Sequence, residues 1–179
     1  LQLGWNTFMD QKPISVIVAG TRDFIDKQYL WSVLDRYLSK RDPKTVTILD
    51  GKARGPDTFG GEYGEAKGMR VLPYPADWDK HGKSAGFIRN EEMAKAGTHL
   101  IAFWDGVSTG TKDMIDRAMA HGLTILVIKI KPEQIDSSWR DKKAAYRRNS
   151  GNVSRESNRI YTGDRRTPRP WDTKRRIGE

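Results

Sequence analysis

The sequence has no cysteine and only three histidines, which are His81, His99 and His121. Without cysteine the chain can form no disulfide, no thiolate metal site and no thiol nucleophile. Three scattered histidines do not favour a zinc site either. We therefore expect no metal and no cofactor, and any metal chemistry would have to use oxygen ligands.

Long apolar segments are also missing. No run of about 18 apolar residues, the length that indicates a membrane-spanning helix, occurs in the chain. The first residues lack the basic, apolar and small-residue order of a secretion signal. We therefore expect a soluble, cytoplasmic protein that does not contact a membrane.

The remaining composition indicates one domain with extensions. A chain of 179 residues that is 36% apolar can form one compact domain with a core. The net charge of +9 is unevenly distributed, since residues 132–179 hold 13 basic and 7 acidic side chains and few aliphatic ones. We predict an N-terminal extension (1–12), a domain (13–131) and a basic, poorly packed tail (132–179). In the extension, Trp5 and Phe8 could lie against the domain, or the segment could be frayed.

Between residues 13 and 131, short β-branched runs alternate with segments of helical periodicity. This pattern predicts an α/β fold, a Rossmann-like doubly wound parallel sheet of about five strands with helices on both faces. The predicted strands are 14–19, 45–49, 69–74, 98–103 and 123–130. One predicted helix begins near Tyr29, and the other three cover residues 57–67, 84–96 and 111–121. With a central first strand, the strand order changes direction between strands one and four.

In such sheets, ligands bind beyond the carboxyl ends of the strands, where the order changes direction. The loops there are "GTRDF" and "WDGVSTG", and each precedes a helix whose first amides suit a phosphate. Gly106 and Gly110 would let the backbone approach an anion, and Ser108, Thr109 and Thr111 offer hydroxyls. A glycine-rich turn before a threonine is also how helices simply begin.

Two more loops at the same edge of the sheet have this composition. They are "DGKARGPD" after the second strand and "PADWDKHGKSAGFIRN" before the third helix. All four loops contain glycine, and three contain arginine or lysine. Four such loops at one edge favour an anion-binding crevice over ordinary turn chemistry.

Four segments, "VAGTRDF", "GKARGPDTFG", "YPADWDKHGKSAGFIRNEEM" and "AFWDGVSTGTKDMIDRAMAHGLTILVI", resemble the YspA-like branch of the SLOG superfamily. That superfamily is named for the DNA-processing protein DprA and the LOG phosphoribohydrolases. The resemblance spans about residues 14–130 and implies a Rossmann-like fold that binds nucleotides or nucleotide-derived ligands. Together, the loop chemistry and the resemblance predict these ligand-binding residues: Gly20, Thr21, Arg22, Gly51, Arg54, Gly55, Asp57, Trp78, Lys83, Arg89, Asn90, Asp105, Gly106, Ser108, Thr109, Gly110 and Thr111.

Several of these residues have an alternative structural role. Arg22 could bind a phosphate, or it could form a salt bridge with Asp23 or Asp26. Asp57 could accept a hydrogen bond from a ribose hydroxyl or cap the second helix. Trp78 could stack on a base or fill the core.

The resemblance to LOG enzymes departs at one position that bears on catalysis. Their "PGGxGTxxE" signature has a glutamate tied to cleavage of the glycosidic bond, and Met114 stands in that place here. A thioether can neither carry the charge nor move the proton. Asp113 and Asp116 lie nearby but point to other sides of the helix. If the protein is an enzyme, a nucleotide or N-glycosidic hydrolase, the candidate catalytic residues are Asp57, Asp77 and Asp105.

Three functional hypotheses follow. The first is binding of a nucleotide or nucleotide-derived small molecule, for sensing, carrying or sequestering it. The second is an enzyme that acts on such a ligand. The third is single-stranded nucleic-acid binding aided by the basic tail and its aromatics, although this tail could equally contact a protein or the other subunits of an oligomer.

Overall fold

The computed structural model describes residues 11–136 and residue 138. Within that range, five parallel strands form one sheet in the order β3-β2-β1-β4-β5. This arrangement confirms the predicted Rossmann-like sheet with its central first strand. The strands are β1 (Ile14–Gly20), β2 (Val46–Asp50), β3 (Arg70–Pro73), β4 (His99–Trp104) and β5 (Thr124–Lys129).

Helices connect the strands, and one of them was not predicted. The short helix Trp78–His81 makes only one turn, which is too few residues for a helical period to be visible in the sequence. Short 3₁₀ turns add Pro43–Thr45, Gly82–Ser84 and Pro132–Gln134. The α-helices are α1 (Lys27–Leu38), α2 (Pro56–Ala66), α3 (Trp78–His81), α4 (Ala85–Ala96) and α5 (Thr109–Ala120).

The core lies in two layers, one on each face of the sheet. Side chains of β1 alternate between them, because successive residues of a strand point to opposite faces. Val16 and Val18 pack with buried residues of α1 and α2, whereas Ile17 and Ala19 pack with those of α4 and α5. Helices therefore cover both faces, as predicted.

The described range continues past the last strand. The Ile25 amide donates to the Gln134 carbonyl at 2.9 Å, and the Asp136 amide donates to the Asp23 carbonyl at 2.8 Å. The chain divides into two units, Leu1–Asp136 and Ser137–Glu179. The predicted boundaries at residues 12 and 131 stay predictions, and residues 1–10 and most of the predicted tail lie outside the described residues. No helix in the described range is long and apolar enough to span a membrane.

Candidate functional site

The loops after β1 and β4 meet where the strand order changes direction. The Thr21 amide donates to the Phe103 carbonyl at 2.9 Å, and the Thr21 hydroxyl accepts from the Asp105 amide at 3.2 Å. Just before Thr21, Gly20 packs against Phe103 and the ring of Pro56. Because all strands are parallel, the loops after β2 and β3 lie at the same edge of the sheet. The four predicted loops therefore share one end of the domain.

The loop between β4 and α5 is shaped by its own aspartate. The Asp105 carboxylate accepts from the amides of Val107 and Ser108 at 3.0 and 2.7 Å. Gly106 has a φ of +87°, which favours glycine. The indole of Trp104 donates to the Ser108 carbonyl at 3.1 Å. Asp105, a candidate catalytic residue, thus holds the turn that leads into α5.

The first turn of α5 has no side-chain cap. Ser108 precedes the helix but caps none of its amides, and its Oγ instead accepts from the Thr111 hydroxyl at 3.1 Å. A Cβ added at Gly110 would meet no atom within 4 Å among the described residues, so this turn borders open space. The amides from Thr109 to Thr111 therefore keep the partial positive charge of a helix start.

Arginines of the first two loops have different partners. Arg54 Nε donates to the Arg22 carbonyl at 3.1 Å, and Arg54 Nη2 pairs with Asp23 at 2.7 Å. Gly55, which precedes α2, packs against the carbonyls of Thr21 and Arg22. The salt bridge to Asp23 that we considered for Arg22 is therefore made by Arg54.

Arg22 instead lies over the indole of Trp78, with 5.8 Å between the guanidinium carbon and the ring centroid. Within residues 11–136, Arg22 makes no ion pair. Trp78 is 50% exposed and belongs to neither core layer. Lys83 is also exposed, in the turn before α4. An aromatic face and two cations thus lie on the surface of this part of the domain.

A buried ion pair lies at the end of β2. Arg89 Nη1 donates to the Gly51 carbonyl and lies 3.6 Å from Asp57 Oδ2. The two side chains fill the space that a Cβ at Gly51 would need, which explains the glycine. Burial raises the pKa of Asp57 to about 7; the Arg89 charge opposes this shift and the Asp50 charge adds to it.

Asn90 connects this pair to α5. Its Oδ1 accepts from Arg89 Nε at 3.1 Å, and its Nδ2 donates to the Gly110 carbonyl at 3.2 Å and to Asp113 at 2.9 Å. Asn90 is 4% exposed, and its role as a ligand-binding residue stays a prediction. Its side chain fixes the first turn of α5 from α4.

Two other residues weighed in the catalytic argument have structural positions. Asp77 caps α3, where its carboxylate accepts from the Lys80 amide at 3.0 Å. Met114 is 1% exposed and packs in the core layer formed with α4 and α5. Within residues 11–136, no group of three or more metal-ligating side chains is arranged to hold an ion.

The sequence arguments missed two charged groups. Asp50, at the end of β2, is 2% exposed and pairs with Lys52 at 2.8 Å. Arg117 joins Glu91 of α4 to Asp113 of α5, with N–O distances of 2.7 and 2.9 Å. Arg117 and His121 lower the pKa of Glu91 to about 2. The Asp113–Arg117 spacing is visible in the sequence, but the distant partner Glu91 is not.

The chain is similar to known proteins in sequence and in fold. A model of the YspA, cpYpsA-related SLOG family matches residues 14–81. Gene 61 protein of Mycobacterium phage D29 is 33% identical over 123 residues, which cover 65% of this chain and 98% of that protein. The chain belongs to the YspA, cpYpsA-related SLOG family. The predicted family is thereby confirmed, and the family model covers the first two of the four motifs and the start of the third.

The fold of this SLOG-family protein is similar to the solved structures of two DNA processing proteins. DprA from Streptococcus pneumoniae has a TM-score of 0.54 and 16% identity, covering 68% of this chain and 52% of that one. The chain thus spans about half the length of that DprA structure. DprA from Helicobacter pylori, described in a study of its single-stranded DNA binding mode, has a TM-score of 0.51 and 18% identity, covering 75% and 74%. At these identities the likeness concerns the fold.

Proposed function

We propose that this protein binds a nucleotide or nucleotide-derived small molecule that carries a phosphate, at the carboxyl ends of β1 and β4. The observation that carries the proposal is the start of α5. Its first turn lacks a side-chain cap, borders open space at Gly110 and adjoins the loop that holds Arg22. Helix starts with free amides bind phosphate groups well, and arginine adds a fixed donor pair.

Membership of the SLOG family supports this proposal, because the family is associated with nucleotide-derived ligands. The exposed ring of Trp78 also supports it, since a base could stack there while the phosphate lies at α5.

Isothermal titration calorimetry with inorganic phosphate and a panel of nucleoside mono- and diphosphates tests the proposal. In the Gly110→Ala variant we expect the affinity for the best-binding panel member to fall about tenfold, or about 1.4 kcal/mol. The Cα–Cβ bond of a helical residue tilts toward the helix start, so the added methyl group would intrude on the anion. Alanine is also the better helix former, so the variant should fold.

Met119→Ala is the matched control, because Met119 is 65% exposed near the other end of the same helix. This control should bind as the wild type does. Absence of binding by every phosphate-bearing ligand, or equal affinity in Gly110→Ala and the control, would reject the proposed site.

Single-stranded nucleic acid is the second candidate ligand, favoured by the half-exposed Trp78 with Arg22 over its face. The single-stranded DNA binding described for the Helicobacter pylori DprA supports it at the level of fold. Oligonucleotides of increasing length separate the two candidates. For a strand-binding protein, both the affinity and its dependence on salt increase with oligonucleotide length. For a nucleotide pocket, neither changes further beyond one or two nucleotides.

A further inference from the structure

Asp57 is a buried carboxylate with an incomplete set of partners. Its side chain is 5% exposed, and Arg89 Nη1 approaches no closer than 3.6 Å. Its own backbone amide donates a hydrogen bond to it, and no other described residue does. It also does not cap α2, because Gly55 holds that position and Asp57 lies inside the first turn. Buried carboxylates normally accept several hydrogen bonds, so this one has capacity left for a ligand.

Arg89 has donors left beside it. Its Nε donates to Asn90 and its Nη1 to Gly51, while Nη2 has no hydrogen-bond partner within residues 11–136. Every fully buried side-chain nitrogen or oxygen in that range does have a partner. Nη2 must therefore reach solvent, and its two N–H groups belong to the same guanidinium whose Nη1 lies 3.6 Å from Asp57 Oδ2.

We propose that Asp57 and Arg89 form a subsite for the sugar hydroxyls of the bound ligand, and that the protein thereby prefers ribose to 2-deoxyribose. This inference rests on the proposed function, since it assigns the sugar of the same phosphate-bearing ligand.

The chemistry of the pair selects hydroxyl groups over the other parts of a nucleotide. Each hydroxyl of a vicinal diol can donate and accept, which matches a carboxylate beside a guanidinium. A phosphate would meet the negative charges of Asp57 and of Asp50, which lies close enough to affect the Asp57 pKa. An apolar group would leave buried charged groups without partners.

The position of the pair also suits a sugar. The Asn90 side chain accepts from Arg89 and donates to the Gly110 carbonyl. The subsite therefore adjoins the proposed phosphate position at the start of α5. Asp57 lies seven residues after the end of β2. Its carboxylate nevertheless lies beside Gly51, the residue that directly follows this strand.

Ribose 5-phosphate and 2-deoxyribose 5-phosphate test the subsite without assuming a base. Titrated into the full-length protein at pH 8, ribose 5-phosphate should bind roughly tenfold more tightly, as expected for one hydrogen bond to a charged group. In Asp57→Asn the ratio of the two affinities should fall toward one. Asp116→Asn, an exposed change on α5, should keep the wild-type ratio.

The wild-type protein gives a second test that needs no folded variant. Because the Asp57 pKa is about 7, the carboxylate is mostly charged at pH 8 and mostly protonated at pH 6. The other charged groups that affect it are Arg89, Arg22 and Asp50, and Lys52 pairs with Asp50. The preference for ribose should therefore be larger at pH 8 than at pH 6. The phosphate is the same in both probes, so its own ionisation cancels in the ratio.

The outcomes separate the two proposals. Equal affinities of the wild type for both sugar phosphates, with binding still weakened by Gly110→Ala, would overturn the sugar subsite and leave the proposed function intact. A preference for ribose that Asp57→Asn leaves unchanged would also overturn it. If neither sugar phosphate nor any nucleotide binds, the proposed function is wrong and the subsite with it.

Discussion

Helices α1 and α5 follow neighbouring strands, β1 and β4, yet their first turns are completed in different ways. At α1, the Asp26 carboxylate accepts from the Tyr29 amide at 3.0 Å and from the Gln134 side chain at 3.0 Å. At α5, Ser108 caps no amide. A position beside the change in strand order therefore does not by itself make a helix start available to an anion. Here the anion site is expected at α5, because α1 already holds a carboxylate of its own.

The start of α2 is a third case. Asp57 lies in its first turn, where the helix dipole stabilises a negative charge. Burial nevertheless dominates and raises its pKa. The start of α1 thus has a capping carboxylate, the start of α5 has no side-chain cap, and the start of α2 has a buried carboxylate. Each can be changed separately by substitution.

The largest expected effect concerns the buried carboxylate. Asp57 has a pKa of about 7 in the folded protein and an ordinary value of 3.8 when unfolded. Between these values the folded state binds one proton more than the unfolded state, so stability falls as pH rises from about 4 to 7 and then levels off. The fall attributable to Asp57 is on the order of 4 kcal/mol.

Urea unfolding of the wild type and Asp57→Asn between pH 4 and 8 measures this contribution. Asparagine keeps an acceptor for Arg89 but cannot ionise, so the wild type should lose stability relative to the variant across this range. Other groups, such as His99, titrate in both proteins and cancel in the difference. Parallel stability profiles would show that burial does not control the ionisation of Asp57.

The next largest effect separates α1 from α5. Asp26→Ala removes the cap of α1 and the hydrogen bond from Gln134, and should lower the free energy of unfolding by about 2 kcal/mol. Ser108→Ala, which removes no cap, should cost less than about 0.5 kcal/mol. Urea unfolding at neutral pH compares them, and similar losses in the two variants would contradict the difference between the helix starts.

Much of the fold could be predicted from the sequence because its signals are local. Runs such as "ISVIVA" are apolar throughout, as a strand buried on both faces must be, and each predicted strand agrees with the structure to within one residue at either end. The order of strands then fixes which loops share an edge. The loops of the candidate site were therefore predictable as a group.

The roles of individual side chains were less predictable, because they depend on partners far away in the chain. Asp26, Asp57 and Asp77 all lie near helix starts, yet two are caps and one is buried beside Arg89. Arg54 finds Asp23 across 31 positions. No periodicity or spacing in a single sequence reports such pairings, and Trp78 likewise could be assigned to the surface only from the structure.

The smallest expected effect concerns the two arginines of the neighbouring loops. Arg22 makes no ion pair within residues 11–136, so Arg22→Gln should leave stability nearly unchanged and weaken binding of ribose 5-phosphate about fivefold, or about 1 kcal/mol. It should also reduce the salt dependence of binding, since one cation contact is lost.

Arg54→Gln should lower stability and leave ligand binding nearly unchanged, because Arg54 neutralises Asp23, which is 3% exposed. Calorimetry at two salt concentrations, with urea unfolding of both variants, makes the comparison. If Arg54→Gln weakens binding as much as Arg22→Gln does, the paired arginine also contacts the ligand, and the anion site extends from α5 across the first loop to the start of α2.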